Sequence, residues 1–278
     1  MSGWSPEHPA RPTRSPTRTL AAAILLAAVV LAVSARAGAA EGAAGFDAAR
    51  FAVVLEDVTA RRVELGARYA AAHGARARAA IRGEARRFIV ETLVSQIFPA
   101  WMGMPSGGGP QATASLPHQP GMYISCSYFL TAALQNVGLV LESRARFAQA
   151  PALWIQRALL PPGGEVHRYG NLSPEELERH LVADLGEGLY VVGLNIHVGF
   201  IVVRHGQAFF VHSSYTPPGT VVNEPVVASE AIALSRSKGY WVSPLFRDDR
   251  IVEMWLRRQP VPAPPQWRGH WSVQPGSL

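Results

Sequence analysis

HVGFIVV (197–203), RHG (204–206) and QAFFVHS (207–213) form the stretch that decides the fold. Two runs rich in β-branched and aromatic residues flank a short break with glycine, the pattern of a β-hairpin. Let the connection be the two residues His205 and Gly206. Arg204 then faces Gln207, His197 lies opposite Ser214, and Gly199 lies opposite His212. Strand side chains alternate between faces, so His197 and His212 share one face as diagonal neighbours. Such a pair is about 7–8 Å apart at the backbone, within reach of long side chains. An odd-length loop would put the two imidazoles on opposite faces. On the shared face Gly199 leaves open space for a substrate backbone.

Working outward, residues 189–194 and 221–227 read as further strands, and residues 229–234 as a short helix. Apolar segments at 239–242 and 251–256 end the folded part. Upstream the period changes. Phe51, Val54, Leu55, Val58, Leu65 and Tyr69 recur at helical spacing, and so do Ile81, Ala85, Phe88, Ile89 and Leu93, with Gly74 between the two sets. The spacing predicts a helical hairpin over 45–98, ended by Pro99. Residues 99–121 have no periodicity and read as a cleft loop, since loops of that length in compact domains usually serve function. A helix opens at Cys126 and stops at Gly138. Another opens at Ser173-Pro174-Glu175-Glu176, a capping box with proline at the first helical position. Helices followed by an antiparallel meander argue α+β, not the alternation of a parallel sheet.

The domain plan is a targeting segment (1–40), the helical hairpin (45–98), an α+β domain (99–258) and a Pro-rich mobile tail (259–278). In the targeting segment Arg11, Arg14 and Arg18 precede a fourteen-residue apolar run, Leu20 to Val33. Ala35-Arg36-Ala37 and Ala37-Gly38-Ala39 fit the small-residue cleavage pattern. The run is shorter than the roughly 20 residues of a spanning helix. A cleaved secretory signal is therefore favoured over an N-terminal membrane anchor, and the chain is expected to be exported, periplasmic or secreted. Hydrophobic content of 48% with 17% charged residues describes a globular chain and excludes a disordered one. The formal charge of +6 is almost all arginine, and nine arginines lie between Arg50 and Arg87. They make a solvated helix face or a contact to anionic lipid.

Cys126 is the only cysteine. In an oxidising compartment it cannot close an intrachain disulfide. It is a buried structural residue, an interchain partner or a nucleophile. At a helix start the amide dipoles favour thiolate, and a neighbouring imidazole takes the proton. Such surroundings lower a thiol pKa from about 8.5 to roughly 3.5–7.5. Backbone N–H groups there also stabilise an oxyanion. The expected site is Cys126 as nucleophile, His197 as base and His212 as the group that orients it. Trp101, Tyr123, Ser127, Gly199 and Ser214 line the cleft. Asn195 and Ser214 are weaker orienters, and no acidic residue lies within seven positions of His197. His118, His167, His180 and His205 read as solvated. Two rivals stand beside this reading: a zinc site of Cys126, His197 and His212, and a non-catalytic binding or structural protein.

Met122-Tyr123-Ile124-Ser125-Cys126-Ser127-Tyr128-Phe129, then His197-Val198-Gly199-Phe200-Ile201-Val202, then Phe210-Val211-His212-Ser213-Ser214, together resemble the NlpC-type cell-wall cysteine amidases. The resemblance covers about ninety residues. Relatives often carry Asp before the cysteine and Ser-Gly after it, where this chain has Ser125 and Ser127-Tyr128. The resemblance implies a papain-like two-layer domain. It also implies amide cleavage through a thioester by Cys126, His197 and His212, with peptide or peptidoglycan stem peptides as substrate. No cofactor, metal or nucleic-acid partner is expected, and membrane contact only through the N-terminal segment.

Overall fold

A computed structural model of the chain describes Met1 and residues 45–266. The expectations for the targeting segment and for residues 267–278 lie outside the described residues. Among the described residues no helix is long and apolar enough to cross a membrane.

The chain starts with the expected pair of helices, α1 (Ala48–Ala71) and α2 (Ala75–Thr92). The Asp47 side chain caps α1 by accepting from the Arg50 amide at 3.0 Å. Phe51, Val58, Leu65 and Tyr69 form the buried stripe of α1, and Ile81, Ala85 and Ile89 that of α2. Pro99 does not end the second helix. A π turn at Leu93–Ile97 shifts the hydrogen-bond register, and the chain continues helically through Phe98–Trp101. Proline then sits at the start of that last turn, where its missing N–H leaves no bond unmade. Many of the arginines are consumed locally. Arg61 and Arg68 pair with Glu64 and Glu84, while Arg82 and Arg86 pair with Asp249 and Glu253 farther along the chain.

The loop that follows is held by backbone pairing. Thr113 bridges Ile124, Pro105 bridges Thr220, and the Ser125 N–H reaches the Ala112 carbonyl at 3.1 Å. It delivers the chain to α3 (Cys126–Asn136). Gly138 closes α3 with φ +92°, and a Cβ there would lie 3.1 Å from Trp255 Nε1 and from Val58 Cγ1. The position therefore needs glycine for both conformation and space. Helices α4 (Arg144–Gln149) and α5 (Ala152–Leu159) follow, then the short strand β1 (His167–Tyr169). His167 lies on this strand at the edge of the sheet. Helix α6 (Pro174–His180) carries the expected capping box between Ser173 and Glu176. The strands β2 (Gly188–Gly193), β3 (Val198–Arg204), β4 (Gln207–Ser213) and β5 (Val221–Pro225) come next. After them come α7 (Glu230–Ser235), β6 (Tyr240–Pro244) and α8 (Asp249–Leu256).

The architecture is α+β with a six-stranded sheet ordered β1-β6-β2-β3-β4-β5, every pair antiparallel. Strands β2 to β5 form the meander. Strand β6 returns to the far side of β2, a crossover that local patterning does not reveal. The β3–β4 register pairs Arg204 with Gln207 and Phe200 with Val211. His205 (φ +52°) and Gly206 (φ +73°) form the connection, the two left-handed residues of a type I′ hairpin turn.

Alternation along the strands buries both faces of the sheet. Val191, Val198, Phe200, Val202 and Val211 join the larger cluster with Phe129 of α3, Ile89 of α2 and Trp255 of α8. Tyr190, Val192, Ile201, Val203 and Phe210 join a smaller cluster with Leu177 of α6 and Ile232 of α7. The start of the Pro-rich tail is bound, not mobile. Val261 is fully buried, and its N–H donates to the Val140 carbonyl at 2.8 Å.

Candidate active site

The site lies at the end of the sheet where β3 begins. Cys126 opens α3, and its neighbours anchor that helix. Ser127 Oγ donates to the Ala148 carbonyl at 2.6 Å, and Phe129 packs edge-on against Phe200 of β3 with ring centroids 5.9 Å apart. Helix packing on the sheet thus sets the height of the sulfur against the strand. His197 is the last residue of the tight turn before β3, closed by the Leu194 N–H donating to the His197 carbonyl at 2.8 Å.

Cys126 and His197 border the same two cavities. One, about 200 Å3, lies on the side of Pro151, Leu153, Gly193 and Trp241. The other, about 430 Å3, lies on the side of Ser106, Gly107, Ser214 and Tyr215. The register places His212 as a diagonal neighbour of His197, and the rings meet: Nε2 of His197 is 2.8 Å from Nδ1 of His212. Both residues are buried, at 5% and 0% exposure. His212 Nε2 in turn lies 3.1 Å from Glu224 Oε1 on β5. Tyr215 packs edge-on against His197 at 5.0 Å between centroids.

This chain of contacts assigns the protons. A carboxylate only accepts, so His212 donates from Nε2 and carries a lone pair on Nδ1. His197 then donates from Nε2 and keeps a lone pair on Nδ1 as its basic nitrogen. Glu224 therefore fixes two tautomers in series. Sequence reasoning missed it. It is twenty-seven positions from His197, and its approach depends on the β4–β5 register, which pairs Phe210 with Glu224 and His212 with Val222. The expected strand over 221–227 carried the only signal, and the connection through Pro217-Pro218 concealed the register.

The electrostatics depart from the expectation of a preformed thiolate. Although Cys126 is partly exposed, burial of the sulfur pushes its pKa up, against the pull of backbone groups at Val198, Ser127 and Cys126 itself. Burial also holds His197 well below the usual imidazole range, and His212 beside it adds to that shift. His212 is lowered by burial, with Glu224 pulling the other way. The resting pair is thus neutral thiol and neutral imidazole. Among the described residues no hydrogen bond joins the thiol to the His197 ring. Catalytic contacts of this kind commonly tighten only when substrate binds.

The remaining cleft residues divide. Ser127 and Ser214 border the cavities, one on each side. Ser214 is tied to Thr216, accepting from its N–H at 3.2 Å, and does not orient His197. Tyr123 stands at the rim, 44% exposed, against Gly107. Trp101 is not a cleft wall. It is fully buried, edge-on to Phe129, and its Nε1 donates to Asn136 Oδ1 at 3.1 Å. Gly199 leaves no open space. A Cβ there would meet Phe210 Cε2 at 2.7 Å and His212 Cβ at 2.8 Å, so the glycine lets the histidine strand close in. As for zinc, the described residues contain no group of three or more His, Cys, Asp and Glu side chains placed to share a metal ion. The two imidazoles face each other instead. Asn195 borders the apolar cavity. No protein-family model matches the chain, and no curated protein matches it.

Proposed function

We propose that this chain is an exported thiol hydrolase that cleaves an amide bond through a covalent thioester. Its groups are Cys126 as nucleophile, His197 as general base and then acid, and His212 with Glu224 behind it as the orienting relay. The observation that carries the reading is the file His197–His212–Glu224, at 2.8 and 3.1 Å with both imidazoles buried, ending at a cleft that the only cysteine also borders. Two imidazoles in series are costly to bury, and with Glu224 behind them they are the arrangement that leaves a base of defined tautomer at a cleft.

In the proposed reaction Sγ attacks the carbonyl carbon as its proton passes to His197. The carbon–nitrogen bond breaks as His197 returns that proton to the leaving amine. Water, deprotonated by His197, then splits the thioester and restores the thiol. Amides at the start of α3, including that of Cys126, face the developing oxyanion. Peptidoglycan stem peptides are the substrate that the sequence resemblance supports.

The test is incubation with cell-wall fragments, product analysis by mass, and trapping of an acyl adduct on Cys126. Cys126→Ala and His197→Ala proteins should fold and lose turnover; full activity in either would sink the mechanism. One observation favours the rival reading of a non-catalytic protein, namely the raised thiol pKa. An inert core thiol labels with iodoacetamide only on unfolding, whereas the proposed nucleophile labels in the folded protein.

A further inference from the structure

The cavity on the side of Pro151, Leu153 and Trp241 has a chemistry of its own. None of the residues bordering it carries a carboxylate, ammonium or guanidinium group. Its walls are Pro151 and Leu153 on the α5 side, Leu194, Ile196 and Val198 around the catalytic turn, and Trp241 of β6. Gly193 also borders it, and is packed so closely against α5 that an added Cβ would lie 2.8 Å from Ala152 Cβ. A second observation lies on the rim. Large apolar side chains are rarely left in water without use, yet Ile196 on this rim is 67% exposed, while the half-exposed Tyr215 belongs to the other cavity. Ile196 borders both cavities and stands as the ridge between them, next to His197.

We infer that the cavity bordered by Leu153, Gly193, Ile196 and Trp241 is a specificity subsite for an uncharged apolar group attached to the carbonyl that Cys126 attacks. This deepens the proposed function and rests on its placement of the reacting sulfur. The volume of about 200 Å3 admits one compact organic group. That is a short alkyl acyl chain or one branched or aromatic side chain of a peptide. The carboxylates of an acidic peptide find no partner there, and burying them unpaired is strongly unfavourable.

The test reads the cavity through the thiol and needs no substrate. Methanethiosulfonate reagents transfer an alkylthio group to Cys126: a disulfide forms and methanesulfinate leaves. The folded protein is treated with methyl, butyl, hexyl, benzyl and sulfonatoethyl reagents, and each rate is divided by that of free cysteine. Burial of a methylene is worth about 0.8 kcal/mol, or about fourfold in rate. The hexyl or benzyl reagent is therefore expected to outpace methyl by at least tenfold, and sulfonatoethyl to gain nothing. Hexyl leading identifies an acyl chain, benzyl leading an amino-acid side chain, and either supports the subsite. Leu153→Trp, which fills the cavity, should cut the hexyl-to-methyl ratio at least tenfold. A ratio near one in the wild type, a sulfonatoethyl preference, or no labelling of the folded protein overturns the inference. A clear chain-length preference in a protein that turns over no acyl substrate overturns the enzyme reading and leaves the subsite standing.

Discussion

The buried imidazole pair makes the stability of this protein depend on pH in a window where few other groups act. His197 and His212 are both held below the ordinary imidazole pKa, mainly by burial. In the unfolded chain each takes up a proton near pH 6.5. Below that pH the unfolded state binds protons that the native state refuses, so stability falls as pH falls. The slope is at most about 1.4 kcal/mol per pH unit for each imidazole. Stability is therefore fully present above pH 6.5 and drops by up to about 3 kcal/mol by pH 5.5. Carboxylates held low by ion pairs, such as Glu84, lose their contribution only nearer pH 4, which separates the two effects. The assay is urea unfolding at half-unit steps from pH 7.5 to 5.0, with midpoints converted at constant slope. A His197→Gln/His212→Gln protein should be less stable at pH 7.5 and nearly flat across the window. A wild type that is flat from 7.5 to 5.5, or a double variant with the wild-type slope, refutes the picture of two buried neutral rings.

On the alkaline side the thiol acts first, before the tyrosines whose pKa values are also raised. With the folded pKa of Cys126 raised, stability should decline above pH 8.5, and Cys126→Ala should remove that decline in the same titration. Glu224→Gln keeps the shape but replaces a charge-assisted bond, roughly twice as strong as a neutral one. Turnover should fall about fivefold to tenfold, with the acid limb of the pH–rate profile shifted and Glu224→Asp restoring part of the loss. Gly199→Ala should cost about 1–3 kcal/mol through overpacking against Phe210 and His212, read as a lower urea midpoint together with lost turnover. Trp101→Phe should cost about 1–3 kcal/mol by leaving the buried Asn136 oxygen without its donor, with turnover unchanged.

The parts of this site that a reader of the sequence can recover are those set by local geometry. A two-residue turn leaves only one register for β3 and β4, so the meeting of His197 and His212 follows from counting. The capping box at Ser173 and the glycine stop at Gly138 are equally local. What escapes depends on distant partners. Glu224 reaches His212 only through the β4–β5 register. The crossover of β6 to β2 has no signature in its own residues. Trp101 looks like a cleft residue because it borders a loop, but Asn136, thirty-five positions away, draws its indole inward. The state of the thiol escapes for another reason. A helix start and a nearby histidine are visible in the order of residues, whereas desolvation depends on everything packed around the sulfur, and here it prevails.

The hairpin of α1 and α2 shares its buried surface with the α+β part of the molecule. Leu65 and Ile89 are wholly enclosed in the same cluster as Phe129 and Trp255, and Phe88 lies 6.1 Å from Trp255 between ring centroids. Losing such side chains costs about 2–5 kcal/mol apiece, so a few together match the 5–15 kcal/mol that holds a typical domain together. The hairpin therefore cannot act as a detachable pro-segment. A protease that cut at Gly74 would leave a nicked but associated protein, and removing both helices would denature the α+β part that remains.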